Sequence, residues 1–148
     1  ETLKKRDRPR LLVIGGHDGG EGSEGEFVNS LERYDPSTNE WEEAAMAPMP
    51  TSRANVGTAL LDGKLYAAGG ESEADGEDED GQDEADGATS NLVERYDLAT
   101  KSWEAVAPMA KARHAPAVAV LEGKLYAVGD GAGSSRRGGA RRQAVCGG

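Results

Sequence analysis

At 148 residues, with 36% hydrophobic and 30% charged side chains, the chain has the length of about one domain, and no apolar run approaches the roughly 18 residues of a membrane span. The formal net charge of −10 sits in one place, because residues 71 to 87 hold ten carboxylates and no base and the rest of the chain is neutral. A single cysteine, Cys146, excludes an internal disulfide and fits a reducing, cytoplasmic compartment.

The chain opens on Glu1 rather than methionine and carries no signal-like apolar segment, so it reads as an excerpt without a secretory address. Basic residues gather at Lys4, Lys5, Arg6, Arg8 and Arg10 and again at Arg136, Arg137, Arg141 and Arg142. Neither cluster is interleaved with the aromatics that stack bases, so nucleic acid is not an expected partner.

In chain order, the first predicted strand is the apolar run from Leu11 to Ile14, which ends on Gly15-Gly16. Ser30 to Asp35 and Trp41 to Ala45 follow as a strand pair joined by the polar turn Pro36-Ser37-Thr38-Asn39. Ala54 to Leu61 and Lys64 to Gly70 flank Asp62-Gly63. That pair tolerates the positive φ angles of a two-residue type I′ turn and predicts a β-hairpin. Leu92 to Asp97 and Ser102 to Val106 form the next pair, around Leu98 to Lys101. Ala115 to Leu121 and Lys124 to Gly129 repeat the hairpin around Glu122-Gly123. Outside the acidic stretch no segment shows the 3.6-residue periodicity of an amphipathic helix.

These elements repeat. Gly15-Gly16, Tyr34-Asp35 and Trp41 return in order as Gly69-Gly70, Tyr96-Asp97 and Trp103. Leu61 to Ala67 returns sixty residues later as Leu121 to Ala127, with Met49 and Arg53 returning as Met109 and Arg113. Four short antiparallel strands per unit, repeated, is the pattern of a propeller blade. Small residues such as Gly57, Ala59, Ala67, Ala68 and Gly69 leave room where inner strands converge. Trp41, Trp103, Tyr66 and Tyr126 supply the apolar area to fill the space between blades.

A hairpin ending in Gly-Gly, then Glu-Arg-Tyr-Asp, a turn, Trp, and a Pro-Met leading to Arg resembles the kelch repeat, over residues 11–130. The structural positions of that motif fall on Gly15, Gly16, Tyr34, Asp35, Trp41, Arg53, Gly69, Gly70, Tyr96, Asp97, Trp103 and Arg113. The resemblance implies an all-β, incomplete kelch β-propeller: units at about 11–47, 54–107 and 113–130, of which the middle one is a full four-stranded blade and the others are partial. In the third unit Asp130 replaces the second glycine and no Tyr-Asp or Trp follows. An acidic insertion occupies 71–90, and 131–148 reads as a disordered Gly/Arg-rich tail. So few units cannot close a ring, and these residues alone are expected to be unstable or aggregation-prone through exposed edge strands.

No catalytic set, cofactor site or metal site is expected. The acidic insertion lacks the ligand spacing of an EF-hand, since counting from Glu71 the twelfth position is Gln82. It reads as a solvated insertion, with electrostatic contact to a basic partner and a cation site as alternatives. His17 and His114 lie on different connections, and no serine sits in a G-x-S-x-G elbow. Arg53 and Arg113 recur at one repeat position, which suits a structural pin on backbone carbonyls or on the Asp of the Tyr-Asp pair more than partner reading.

Protein partners are expected at the variable loops, with His17, Asp18, Ser52, Asn55, Ser72 and His114 as candidate contacts. The basic segment before Leu11, leading directly into an outer strand, is similar to the start of the propeller in BTB-BACK-kelch substrate adaptors, in which the C-terminus completes the first blade. That likeness implies a substrate-recognition subunit of a cullin-RING ubiquitin ligase, with the cullin reached through N-terminal domains outside this sequence. The alternatives are a kelch scaffold or actin-binding protein without ubiquitin chemistry and, further off, a kelch-bladed enzyme.

Overall fold

The computed structural model describes residues 11–19, 25–42, 46–73 and 88–129. The tail at 131–148, most of the acidic insertion and the end of the strand expected at Trp41 to Ala45 lie outside these described residues.

Three antiparallel sheets follow one another along the chain. The first is β1 (Leu11–His17), β2 (Phe27–Asp35) and β3 (Glu40–Glu42), in that order. The second is four-stranded: β4 (Gly57–Leu61), β5 (Lys64–Ala68), β8 (Val93–Asp97) and β9 (Ser102–Val106), each paired with the next. Between β5 and β8 a short ribbon forms from β6 (Glu71–Ser72) and β7 (Ala88–Thr89). The third sheet is the pair β10 (Ala117–Leu121) and β11 (Lys124–Val128). Strand order equals chain order throughout, as a propeller requires, and the described residues contain no helix.

Local chemistry sets the strand ends. Asp62 and Gly63 have φ of 48° and 73°, and Glu122 and Gly123 have 51° and 70°, so both hairpins close through the expected mirror-image turn. β4 and β10 begin later than the apolar runs suggest, because Asn55 (φ 53°) and Ala115 (φ 42°) are left-handed and interrupt the extended backbone. β2 starts earlier, at Phe27, since His17 pairs with Phe27 across the sheet and the two rings meet edge to face at 5.3 Å.

The turn from β8 to β9 is capped by Asp97, whose Oδ1 accepts from the backbone N–H of Ala99 at 2.8 Å and of Thr100 at 3.2 Å. Asp35 does the same for β2–β3, accepting from Ser37 N–H at 2.9 Å. Each turn closes on a left-handed residue, Asn39 (φ 59°) or Lys101 (φ 58°). Asn39 also accepts from the Tyr34 hydroxyl at 2.8 Å. Lys101 offers no such acceptor, and the equivalent Tyr96 hydroxyl is buried without a partner.

The core lies between the sheets. Across the second sheet Leu65, Tyr96 and Trp103 stand opposite one another in a row. That row packs against Leu12, Ile14 and Leu31 of the first sheet and Met46 of the connection after it, and leaves Leu65 6% and Tyr96 1% exposed. Each such side chain contributes about 1.5–3 kcal/mol by leaving water. On the opposite face Ala68, Val93 and Tyr66 pack with Val118 and Ala127 of the third sheet. The inner strands β4 and β10 are in contact, and a Cβ on Gly57 would lie 2.3 Å from the Pro116 carbonyl oxygen. Close approach of inner strands therefore demands glycine there, as expected. Trp41 departs from expectation: it is 48% exposed, because among the described residues no sheet stands against its face.

Two outcomes follow. Lys101→Asn supplies the missing acceptor and a residue better suited to the left-handed backbone, and is expected to raise stability by about 0.5–1.5 kcal/mol in denaturation curves at equal protein concentration. Asp97 is held down to about 2, first by its hydrogen bond with Lys64 and then by those turn N–H groups. A depressed carboxylate stabilises above its unfolded pKa and loses that effect as pH falls through the folded value. The melting-temperature gap between wild type and Asp97→Asn should therefore be constant above about pH 4 and close between about 4 and 2.

Candidate partner-binding rim

The connections that leave each sheet and enter the next are fixed by the glycine pairs. Gly16 N–H donates to the Arg53 carbonyl at 2.9 Å and Gly70 N–H to the Arg113 carbonyl at 2.9 Å. Gly15 (φ 58°) and Gly69 (φ 65°) turn the chain at this point. A Cβ would come within 2.2 Å of the Arg53 oxygen at Gly15 and 2.7 Å of the Arg113 oxygen at Gly69. Gly69 is thus required by the neighbouring unit's connection rather than by inner-strand crowding.

Arg53 is fully buried. Its guanidinium donates to the carbonyls of Gly69 at 2.7 Å and Leu92 at 3.3 Å, and to Glu94 Oε2 at 2.7 Å. Glu94, 3% exposed, accepts a further bond from the Thr51 hydroxyl at 3.0 Å. The carbonyl contacts match the pin expected from sequence, but the acidic partner is Glu94 and not the Tyr-Asp aspartate, which is occupied in capping its turn. Arg113 repeats the contact sixteen residues on, donating to the Gly129 carbonyl.

Asn29 and Asn91 complete the framework. Asn29 exchanges two bonds with the Met49 backbone, at 2.9 and 2.8 Å, and Asn91 two with Met109, at 3.1 and 2.9 Å. The sequence reading passed over both, although they recur at the tryptophan's spacing of 62 residues.

On this frame the candidate contacts separate into two places. Asp18 closes the base of the β1–β2 loop, its backbone N–H donating to the Glu26 carbonyl at 3.1 Å and its Oδ1 accepting from Glu26 N–H at 2.7 Å. His17, at the end of β1, is exposed beside it. Asn55 and His114 meet elsewhere, at the junction of the second and third units. Asn55 Nδ2 donates to Glu71 Oε2 at 3.2 Å, His114 Nε2 lies 2.9 Å from Glu71 Oε1, and Asn55 Nδ2 and His114 Nε2 are 3.3 Å apart. Reciprocal 2.9 Å backbone bonds between Ala54 and Glu71 hold β6 over the connection. Ser72, half-buried, follows on β6, and Ser52 is half-buried one residue before Arg53.

Glu71 escaped the sequence reading because it opens a run of carboxylates and looks like one of them. Asn55 and His114 are exposed, so the cluster offers both donors and acceptors to an incoming surface. Among the described residues no three metal-ligating side chains converge.

Stacked antiparallel sheets, pinned at one rim and variable at its loops, define a repeat propeller assembly. The kelch motif family matches residues 8–45 and 52–110, and the chain belongs to the kelch-repeat family. Several of its similar curated proteins are named kelch-like. Kelch-like protein 33 of Homo sapiens is 37% identical over 126 residues, 85% of this chain and 20% of that protein. Kelch-like protein 40 of Xenopus laevis is 29% identical over 111 residues, 75% and 16%. The influenza virus NS1A-binding protein homolog of Mus musculus is 35% identical over 102 residues, 69% and 14%. The chain spans a fifth or less of the length of these relatives. Among solved structures YjhT aligns with a TM-score of 0.52 at 22% identity, over 79% of this chain and 34% of its own, a likeness of fold.

Pin and rim are separable by mutation. Glu94→Gln leaves the Arg53 guanidinium buried without its counter-charge and is expected to cost about 3–5 kcal/mol. Asn55→Ala and His114→Ala are expected to stay within about 0.5 kcal/mol of wild type. Urea titrations of the three variants check the difference.

Proposed function

We propose that this rim binds a protein partner, and that the chain is the propeller part of a cytoplasmic, non-enzymatic substrate-recognition subunit for a cullin-RING ubiquitin ligase. The observation that carries the binding reading is the convergence of Asn55, Glu71 and His114 from two units at one exposed junction. They stand on connections that a buried ion pair and the glycine approaches hold rigid, and function concentrates on loops carried by rigid scaffolds. The carboxylates of Asp18, Glu26, Glu71 and Glu73 sit on equivalent inter-strand loops, which favours basic side chains on the partner. The ligase assignment is supported by the kelch-like relatives and by the resemblance of the residues before Leu11 to BTB-BACK-kelch adaptors. The cullin contact would lie in domains outside this chain.

Affinity purification of the full-length product tests both parts. Wild type is expected to recover a cullin together with a client protein. Combined substitution of Asn55, Glu71 and His114 by alanine should weaken the client by at least about tenfold and leave the cullin in place. Absence of any cullin overturns the adaptor reading and leaves the scaffold alternative. A client insensitive to the triple substitution overturns the rim.

A further inference from the structure

Glu71 is answered differently from the other paired carboxylates. Among the described residues Glu42, Glu94, Asp97 and Glu104 each meet an arginine or a lysine, side chains that stay charged throughout the neutral range. Glu71 meets His114, whose Nε2 lies 2.9 Å from Oε1 and carries charge only when protonated. The contact is open to solvent, the His114 side chain being 50% and the Glu71 side chain 24% exposed. Asn55 gives the cluster a second arrangement. Its Nδ2 donates to Glu71 Oε2 at 3.2 Å and lies 3.3 Å from the same imidazole nitrogen. While Nε2 holds a proton it donates to Glu71. Once Nε2 is bare it accepts from the second N–H of Asn55 instead, and turns a lone pair toward the carboxylate.

On the reading of this rim as a partner site, we infer that binding there is linked to a proton: protonated His114 supplies to Glu71 the counter-charge that a basic side chain of the partner supplies in the complex, so the two compete. The neighbouring charges do not take that place. Arg53, on the connection that carries Asn55, is spent on Glu94, and Arg113, next to His114, reaches the Gly129 carbonyl. Lys111, exposed three residues before His114, keeps its charge across the range in which histidines titrate. Glu73, exposed two residues along from Glu71, attracts either cation. Coupling between a bound proton and a bound partner is reciprocal. The partner's cation therefore expels the proton from His114, and affinity rises with pH between about pH 5 and 8 and levels off above. For so exposed an ion pair the rise is about two- to fivefold.

Recovery of the client by the full-length product, measured from about pH 5.5 to about pH 8, tests the linkage. Wild type is expected to hold the client about two- to fivefold more tightly at the upper end. In His114→Gln, which keeps a donor but takes up no proton, the rise should vanish. Glu71→Gln should bind weakly and with an equally flat profile. His17, the other histidine, is retained in every variant, so a slope that belongs to it survives His114→Gln. Three outcomes overturn the linkage and leave the rim standing: the same pH profile in wild type and His114→Gln, a client held more tightly at low pH, or a His114→Gln variant that recovers no client at any pH. A client indifferent to the triple alanine substitution, or no client at all, removes rim and linkage together.

Discussion

A guanidinium with no solvent contact has to find its counter-charge and its acceptors inside the protein, and the terminal nitrogens of Arg53 find them on two separate segments. Its bonds reach the end of β5 at Gly69 and the start of β8 at Leu92 and Glu94, while its own backbone sits in the connection from the preceding sheet. Removing such an ion from water costs several kcal/mol, which only well-placed partners offset. Here they are met by a fork of donors that lysine could not reproduce. The position of the connection, and so of everything mounted on it, follows from that one side chain.

What the pinned connection presents differs from unit to unit. Two residues past each arginine the backbone turns left-handed, at Asn55 with φ 53° and at Ala115 with φ 42°. Asparagine is among the few side chains that favour this region, and at Asn55 the amide is spent on Glu71 and faces His114. Ala115 occupies the same turn with no polar group. The framework repeats and the chemistry displayed on it does not, which is the arrangement a recognition surface needs.

Much of this was legible before any coordinates. Asp-Gly and Glu-Gly announced their hairpins through a conformational requirement that two residues satisfy alone, and the offsets of Gly15, Tyr34 and Trp41 to their copies gave the unit. Sheet burial on both faces hid more. Alternation assigns Glu94 to solvent, yet Val93 and Glu94 are buried side by side, because neighbouring sheets cover the second sheet on both sides. Trp41 failed for the opposite reason: repeat equivalence fixes where a side chain points, not whether a neighbour stands there. The Asn55, Glu71 and His114 cluster joins residues up to 59 positions apart, and no local pattern reports a contact of that range.

The acidic insertion illustrates why this architecture tolerates variation at its rim. Its two ends are brought together by β6 and β7, where Glu71 pairs with Thr89 and Ser72 with Ala88. β6 is itself fastened to the connection through Ala54. Once the ends are clamped, lengthening the loop between them costs little, about 0.6 kcal/mol for each doubling. Ten carboxylates fall at 71 to 87, and Tyr96 and Arg53 remain buried in the sheets that this stretch connects. Charge and length in that loop are therefore free to change with the partner, while the glycine pair, the arginine and the asparagine beneath are not.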